Sequence, residues 1–168
     1  MIRTSRLLAA ALIVSAIFPL GLGAAEAPSP IVGTWQLTSY SQVFLDTKEV
    51  TLPFGENPTG YIQYSPAGHV VVYLSEGAVP RTATAVYSDA ERAAVHKGIV
   101  GAYAATYRIE GNKVIHHVLT AWRPEWIGTD QVRYFELSGD NLVIKTAPAK
   151  FSRTGQDFVG TLTFIRVE

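Results

Sequence analysis

The sequence predicts an all-β protein, namely an antiparallel up-and-down β-barrel with one short accessory helix. Apolar and polar residues alternate along most of the chain after residue 30, which is the period of half-buried strands. Turn-forming residues separate these stretches at short intervals, as in consecutive hairpins. Only one segment carries a helix-start signal. Because no layer of helices is available to cover the sheet, we expect the sheet to close on itself.

The N-terminus has the composition of a secretory signal peptide. A short basic stretch precedes an apolar run at residues 7–18, and small residues follow Pro19. A membrane anchor is the alternative, but a spanning helix needs about 20 apolar residues. This run is shorter, and a proline interrupts it. We therefore predict that residues 1–25 are a cleaved signal peptide and that residues 26–168 form the barrel domain. The mature protein is expected to be periplasmic or secreted, with no stable membrane anchor.

Composition argues against several classes of protein. The 168 residues carry no formal net charge and no basic run, which argues against binding to nucleic acid or to a membrane surface. The chain has no cysteine, which excludes disulfides, cysteine-ligated metals and a lipoprotein anchor. Adjacent His116 and His117 point to opposite faces of a strand, so we predict no metal site. We also predict no cofactor.

The first strands follow from alternation and turn chemistry. Val32 to Phe44 is predicted to be a long first strand. Residues 61–74 are predicted to form a hairpin around the turn Ser65-Pro-Ala-Gly68. A three-residue loop with a glycine bulge places Tyr64 opposite Val70, with both side chains on the apolar face.

The helix and a second hairpin follow. Ser88-Asp-Ala-Glu91 is a capping box, so the helix is expected to start there and to run to about Val100. Residues 103–122 are predicted to form a hairpin around a Gly-Asn turn. Pairing outward from this turn places Tyr107 opposite His116, with both side chains facing the interior.

The last part of the chain supplies a third hairpin and a closing strand. Gln131 to Lys145 is the third hairpin, and Thr161 to Val167 is the last strand. Arg133 has the same parity as the apolar Phe135, so its side chain is expected to point into the barrel.

Several segments, in their order along the chain, resemble one protein family. The opening Ile31-Val-Gly-Thr-Trp-Gln-Leu37 is similar to the Gly-x-Trp motif of lipocalins. Later segments resemble the bacterial and fungal lipocalin-like domain family, namely Pro53–Tyr61, Tyr64–Gly68, Ala102–Tyr107, Val114–Val118, Trp126–Phe135 and Leu162–Val167. The resemblance implies a small calycin-type barrel with a central cavity. It also implies that Arg166 crosses over Trp35, which we expect to plug the closed end.

Six residues are candidates for contacting a ligand, namely Arg133, His116, Tyr107, Tyr64, Tyr103 and Trp126. Burying the guanidinium of Arg133 without a partner is costly. It therefore meets either an anionic ligand or a loop carboxylate, from Glu56, Glu125 or Asp130. His116 is either a polar contact or general base, or a core histidine bonded to Tyr107 or to a backbone carbonyl. The tyrosines either line a cavity or belong to the core, and Trp126 lies either at the cavity mouth or along a hairpin edge.

We predict that the protein binds a small apolar or amphipathic molecule inside the barrel. Two alternatives stay open. One is an isomerase- or cyclase-type enzyme acting on an apolar metabolite, an activity that the resemblance implies for a few fungal relatives. The other is a structural or stress protein with a filled core. The sequence shows no catalytic triad order, paired carboxylates or phosphate-binding loop, and this argues against an enzyme. A cavity above about 300 Å³ would favour a binding protein or an enzyme.

Overall fold

A computed structural model of the chain describes residues 29–77, 86–151 and 154–168. The predicted signal peptide lies outside these residues. The elements in chain order are β1 Gly33–Phe44, β2 Val50–Thr51, β3 Thr59–Tyr64, β4 His69–Ser75, α1 Asp89–Lys97, β5 Ile99–Glu110, β6 Lys113–Ala121, a 3-10 turn Pro124–Trp126, β7 Asp130–Ser138, β8 Asn141–Thr146, β9 Ala149–Lys150 and β10 Asp157–Arg166.

Eight of the ten strands form a closed antiparallel barrel. Each long strand pairs with the next long strand along the chain, in the order β1, β3, β4, β5, β6, β7, β8 and β10. The first and last strands also pair with each other, which removes both open edges of the sheet. The two-residue strands β2 and β9 extend the sheet beside β1 and β10. The predicted all-β, up-and-down barrel is therefore confirmed.

The three hairpins have the registers that their turns predict. Tyr64 pairs with Val70, and Tyr107 pairs with His116. Gly68 adopts a positive φ of 80°, as the turn between β3 and β4 requires. Turn chemistry therefore sets which side chains face the interior. The last strand begins four residues earlier than predicted, at Asp157.

A β-bulge in β1 changes which side chains face the interior. Leu37 is buried, Thr38 and Ser39 are both exposed, and alternate residues are buried again from Tyr40 onward. The pairing of β1 with β10 shifts register between Leu37 and Ser39. Strict alternation from Leu37 would have placed Tyr40 and Gln42 on the outside, but the extra residue turns both of them into the barrel.

Trp35 closes one end of the barrel. Its side chain is fully buried, and its indole Nε1–H donates to the carbonyl of Ile31 at 2.8 Å. The guanidinium of Arg166 lies 4.1 Å from the centre of the Trp35 ring. Arg166 also donates to the carbonyl oxygens of Val32 and Pro30. These contacts tie the last strand to the segment that precedes the first, and they agree with the arrangement that the resemblance implied.

The one α-helix among the described residues begins where the capping box predicts. The Ser88 hydroxyl accepts from the amide of Glu91, and the Glu91 carboxylate accepts from the amide of Ser88. The helix ends at Lys97, before the expected Val100, because Ile99 already begins β5. None of its residues is buried, so it is an accessory to the barrel. In the described ranges, no helix is both long and apolar enough to cross a membrane.

Candidate functional site

The barrel contains a cavity of about 700 Å³. Five buried aliphatic side chains form much of its wall, namely Ile62, Val72, Leu74, Ile144 and Leu162. Polar side chains from β1, β5, β6 and β7 interrupt this wall. The lining also includes charged side chains away from these strands, namely Lys97, Arg123 and Lys150. A space of this size with both aliphatic and polar walls has the character of a small-molecule site.

His116 lies at the centre of a buried row of three rings. It is 1% exposed, and its Nε2 lies 3.0 Å from the Tyr64 hydroxyl oxygen. Its Nδ1 lies 2.8 Å from the hydroxyl oxygen of Tyr103. Both ring nitrogens are therefore engaged by tyrosines. Of the three residues, His116 and Tyr103 line the cavity, whereas Tyr64 lies behind them.

Burial keeps His116 neutral. Burial, together with the nearby charge of Arg133, lowers its pKa from 6.5 to about 3. Tyr64 lies outside the cavity lining, and among the described residues its one available acceptor is Nε2, whereas Tyr103 faces the cavity. We therefore assign the Tyr64 hydroxyl as the donor to Nε2. The Nδ1–H of His116 then donates to the Tyr103 oxygen. This assignment leaves the hydroxyl proton of Tyr103 free to point into the cavity.

Arg133 reaches the same part of the cavity from β7. Its guanidinium donates to the carbonyl of Val132 at 2.9 Å and to the side-chain oxygen of Gln131 at 3.4 Å. Burial raises the pKa of Tyr103, whereas the nearby positive charge of Arg133 lowers it. Arg133 and Tyr103 also line the same cavity. Together they can present N–H and O–H donors to one cavity-bound acceptor.

The alternative of a structural ion pair for Arg133 is wrong. Glu125 pairs with Arg123, and Asp130 accepts from two other basic side chains that are half exposed. Within the described ranges, neither these carboxylates nor that of Glu56 lies within ion-pair distance of Arg133. The cation instead depends on neutral acceptors, which do not balance its charge.

Tyr107 does not join the polar cluster, although the sequence predicts it beside Arg133 and His116. Its hydroxyl donates to the carbonyl of Ser65 at 2.9 Å, at the turn between β3 and β4. Its ring packs edge-on against Tyr64, with ring centres 5.1 Å apart. The expected alternative of a His116–Tyr107 hydrogen bond is therefore also wrong. Because a backbone acceptor holds Tyr107 at the turn, Tyr103 takes the position beside His116.

Trp126 lies at the cavity mouth, on the 3-10 turn. Its ring packs edge-on against Tyr103, with centres 5.8 Å apart. The guanidinium of Arg123 lies 5.3 Å from the centre of the Trp126 ring and 5.7 Å from that of Trp122. The Trp122 ring also contacts His96 of α1, at 4.5 Å between centres. Two tryptophans with an arginine between them therefore form one side of the mouth.

Sequence reasoning missed two polar residues that line the cavity, Tyr40 and Gln42. Each is only 7% exposed, and the Gln42 amide nitrogen donates to the Tyr40 hydroxyl oxygen at 2.7 Å. Their inward direction depends on the bulge at Thr38. The signal available in the sequence was the polar pair Thr38-Ser39, which interrupts the alternation ahead of Tyr40.

In the part of the chain that the structure covers, no three acidic or histidine side chains lie close enough together to hold a metal ion. The described site therefore consists of the cavity, the cluster of Arg133, Tyr103 and His116, and the Tyr40–Gln42 pair.

Comparison with known proteins identifies the family. The model of the lipocalin-like domain family matches residues 32–167. No curated protein and no solved structure matches the chain. The match covers well over half of the 168 residues, and it agrees with the closed eight-stranded barrel. The protein therefore belongs to the lipocalin-like domain family.

Proposed function

We propose that this protein binds a small, largely apolar molecule that carries an anionic group, such as a carboxylate. The observation that carries the proposal is Arg133, a cavity-lining cation with no carboxylate partner among the described residues. An anionic oxygen could accept from Arg133 and from the free hydroxyl of Tyr103. Charge-assisted hydrogen bonds of this kind are among the stronger ones in proteins.

The aliphatic part of the cavity wall suits an apolar body. The aliphatic side chains offer no hydrogen bonds. Transfer of an apolar chain or ring from water to this part of the cavity is therefore favourable. The volume of about 700 Å³ supports a binding role over that of a structural protein with a filled core. It falls well within the range of small-molecule pockets.

His116 is poorly suited to be the base of an isomerase or cyclase. A general base works best when its pKa lies near the working pH, and that of His116 is lowered to about 3. Both of its ring nitrogens are also occupied by tyrosines. We therefore assign His116 the task of positioning Tyr103 beside Arg133.

Export is part of the proposal. The basic, apolar and small-residue order of residues 1–25 supports cleavage and release into the periplasm or the medium. An exported barrel with a hollow interior fits a protein that captures or carries a small molecule.

Ligand titration tests the binding proposal. Dodecanoic acid and dodecanol form a matched pair that differs only in the end group, and both can be titrated against tryptophan fluorescence. Trp126 and Trp122 line the cavity and report on its occupancy, whereas the buried Trp35 does not line it. We expect saturable binding of the acid, with the alcohol clearly weaker. Absence of saturable binding by either compound would contradict the proposal.

A further inference from the structure

The Tyr40–Gln42 pair is a second polar position in the cavity, separate from the Arg133 cluster. Both residues come from β1, whereas Arg133 comes from β7. In the barrel order, β10 and β8 lie between those two strands. The pair therefore faces the same cavity as Arg133 from a different wall.

The pair has unused hydrogen-bonding capacity. The Gln42 amide donates to the Tyr40 oxygen, and within the described residues no group bonds the Gln42 side-chain oxygen or accepts the Tyr40 hydroxyl proton. The Tyr40 hydroxyl proton, the second N–H of Gln42 and the Gln42 side-chain oxygen thus stay free, which gives two donors and one acceptor side by side. If the amide of Gln42 is turned over, Tyr40 donates to its oxygen instead. The free donors are then the two N–H groups of Gln42, and the Tyr40 oxygen is a free acceptor.

The position of Tyr40 is fixed by its surroundings. Its ring contacts Phe54, with centres 5.4 Å apart. On another side it packs on Gly160, where an added Cβ would lie 3.1 Å from the ring. Burial raises the pKa of Tyr40, so its hydroxyl stays protonated at neutral pH. The pair is therefore pre-organised, and each of its residues is only 7% exposed.

We propose that the Tyr40–Gln42 pair binds a hydroxyl group on the ligand, which makes the ligand an amphipathic hydroxy acid. This inference rests on the proposed function, since it assumes that an anionic group sits at Arg133. A hydroxyl donates one hydrogen bond and accepts another, so it can pair with the free acceptor and with one free donor of the pair. A plain hydrocarbon chain would leave both groups buried without a partner, which is unfavourable.

The test compares dodecanoic acid with a series of monohydroxydodecanoic acids that carry the hydroxyl at successive chain positions. For the wild type, we expect at least one hydroxy acid to bind about tenfold more tightly than dodecanoic acid, as two added hydrogen bonds allow. In Gln42→Leu the preference for hydroxy acids over dodecanoic acid should fall to about onefold. Tyr40→Phe, which removes one oxygen atom only, should reduce the same preference.

Gln36→Leu is the matched control, because Gln36 lies on β1 but does not line the cavity. It should keep the wild-type preference. If Gln42→Leu does not fold by circular dichroism, Tyr40→Phe alone decides the result. Equal binding of all the acids to the wild type would overturn the inference and leave the proposed function intact. A preference for hydroxy acids that both Gln42→Leu and Tyr40→Phe retain would likewise overturn the inference. If no acid binds at all, the proposed function itself is wrong and the inference falls with it.

Discussion

Trp35 and Arg166 face each other across the pairing of the first and last strands, with the guanidinium 4.1 Å from the indole centre. Contacts between a cation and an aromatic face contribute roughly 0.5–2 kcal/mol. The larger effect is burial, because the Trp35 ring is fully covered. The pair therefore stabilises the closure of the barrel at the end that Trp35 plugs.

Trp35→Ala is expected to lower the free energy of unfolding by roughly 3–5 kcal/mol, through lost burial and the resulting void. Urea unfolding followed by circular dichroism measures this loss. Trp126→Ala is the comparison. Loss of this half-buried ring at the cavity mouth should lower the free energy of unfolding much less. A loss below about 1 kcal/mol for Trp35→Ala would contradict its role as a plug.

Ser88→Ala is expected to weaken α1 by about 1 kcal/mol, because it removes the hydroxyl that accepts from the Glu91 amide. No residue of α1 is buried, so the barrel should unfold at the same urea concentration as the wild type. Amide hydrogen exchange measures the helix separately from the strands. Ser88→Asp keeps a capping oxygen and should behave like the wild type. Faster exchange throughout the strands would show that the helix supports the barrel.

Export predicts a defined mature N-terminus. We expect cleavage between Ala25 and Glu26, which places the small residues Gly23 and Ala25 before the cut. N-terminal sequencing of the protein recovered from the periplasm or medium measures the position. Recovery of membrane-bound chain that still begins at Met1 would contradict both the cleavage and the proposed localisation.

The fold was predictable because its main determinants are local. Turn residues such as Gly68 set the hairpin registers, and alternation then placed His116 and Arg133 inside. The bulge at Thr38 was not predictable in this way. It inserts one residue into an otherwise regular strand, and it reverses the parity of the residues that follow it in β1, including Gln42.

Side-chain partners were less predictable than parity. His116 and Tyr107 are direct neighbours across two strands, yet their polar groups do not bond to each other. The Ser65 carbonyl competes for Tyr107, and alternation contains no information about that competition. Two of the three carboxylates expected near Arg133, Glu125 and Asp130, are likewise engaged by other cations. Such choices depend on three-dimensional distances that a one-dimensional pattern does not contain.

The depressed pKa of His116 predicts a particular loss of stability in acid. The unfolded chain takes up a proton at His116 near pH 6.5, whereas the folded chain does so only near pH 3. The contribution of neutral His116 is thus fully present above the unfolded pKa and is lost as the pH falls between the two values. The slope from this residue approaches about 1.4 kcal/mol per pH unit.

His116→Gln should remove that slope while it keeps a polar side chain between the tyrosines. Urea unfolding from about pH 6 to about pH 4 measures the difference, and subtraction of the two proteins cancels the carboxylates that titrate in both. Equal slopes would show that His116 is protonated in the fold. Its proposed tautomer, and the free Tyr103 proton, would then be wrong.

The charge of Arg133 should determine which ligands bind. Arg133→Met keeps much of the side-chain volume and removes the positive charge. Loss of a charge-assisted hydrogen bond is expected to weaken dodecanoic acid by about 1.5–3 kcal/mol and to weaken dodecanol much less. Tryptophan fluorescence titration of both compounds measures the two affinities. The acid-over-alcohol preference is the informative quantity, because a general disturbance of the cavity would weaken both compounds together.

Tyr103→Phe separates the two donors of this cluster. It removes the hydroxyl that contacts His116 and that faces the cavity, but it leaves the charge of Arg133 in place. We expect a smaller loss for the acid than in Arg133→Met, about 0.5–1.5 kcal/mol, because a neutral donor is lost. Tyr107→Phe is the matched control, since that hydroxyl bonds Ser65 outside the cavity lining. It should leave the affinity for dodecanoic acid unchanged. If Arg133→Met binds the acid as tightly as the wild type does, the guanidinium is structural. The anionic end of the ligand would then have to be sought among the basic side chains at the mouth, beginning with Arg123 between its two tryptophans.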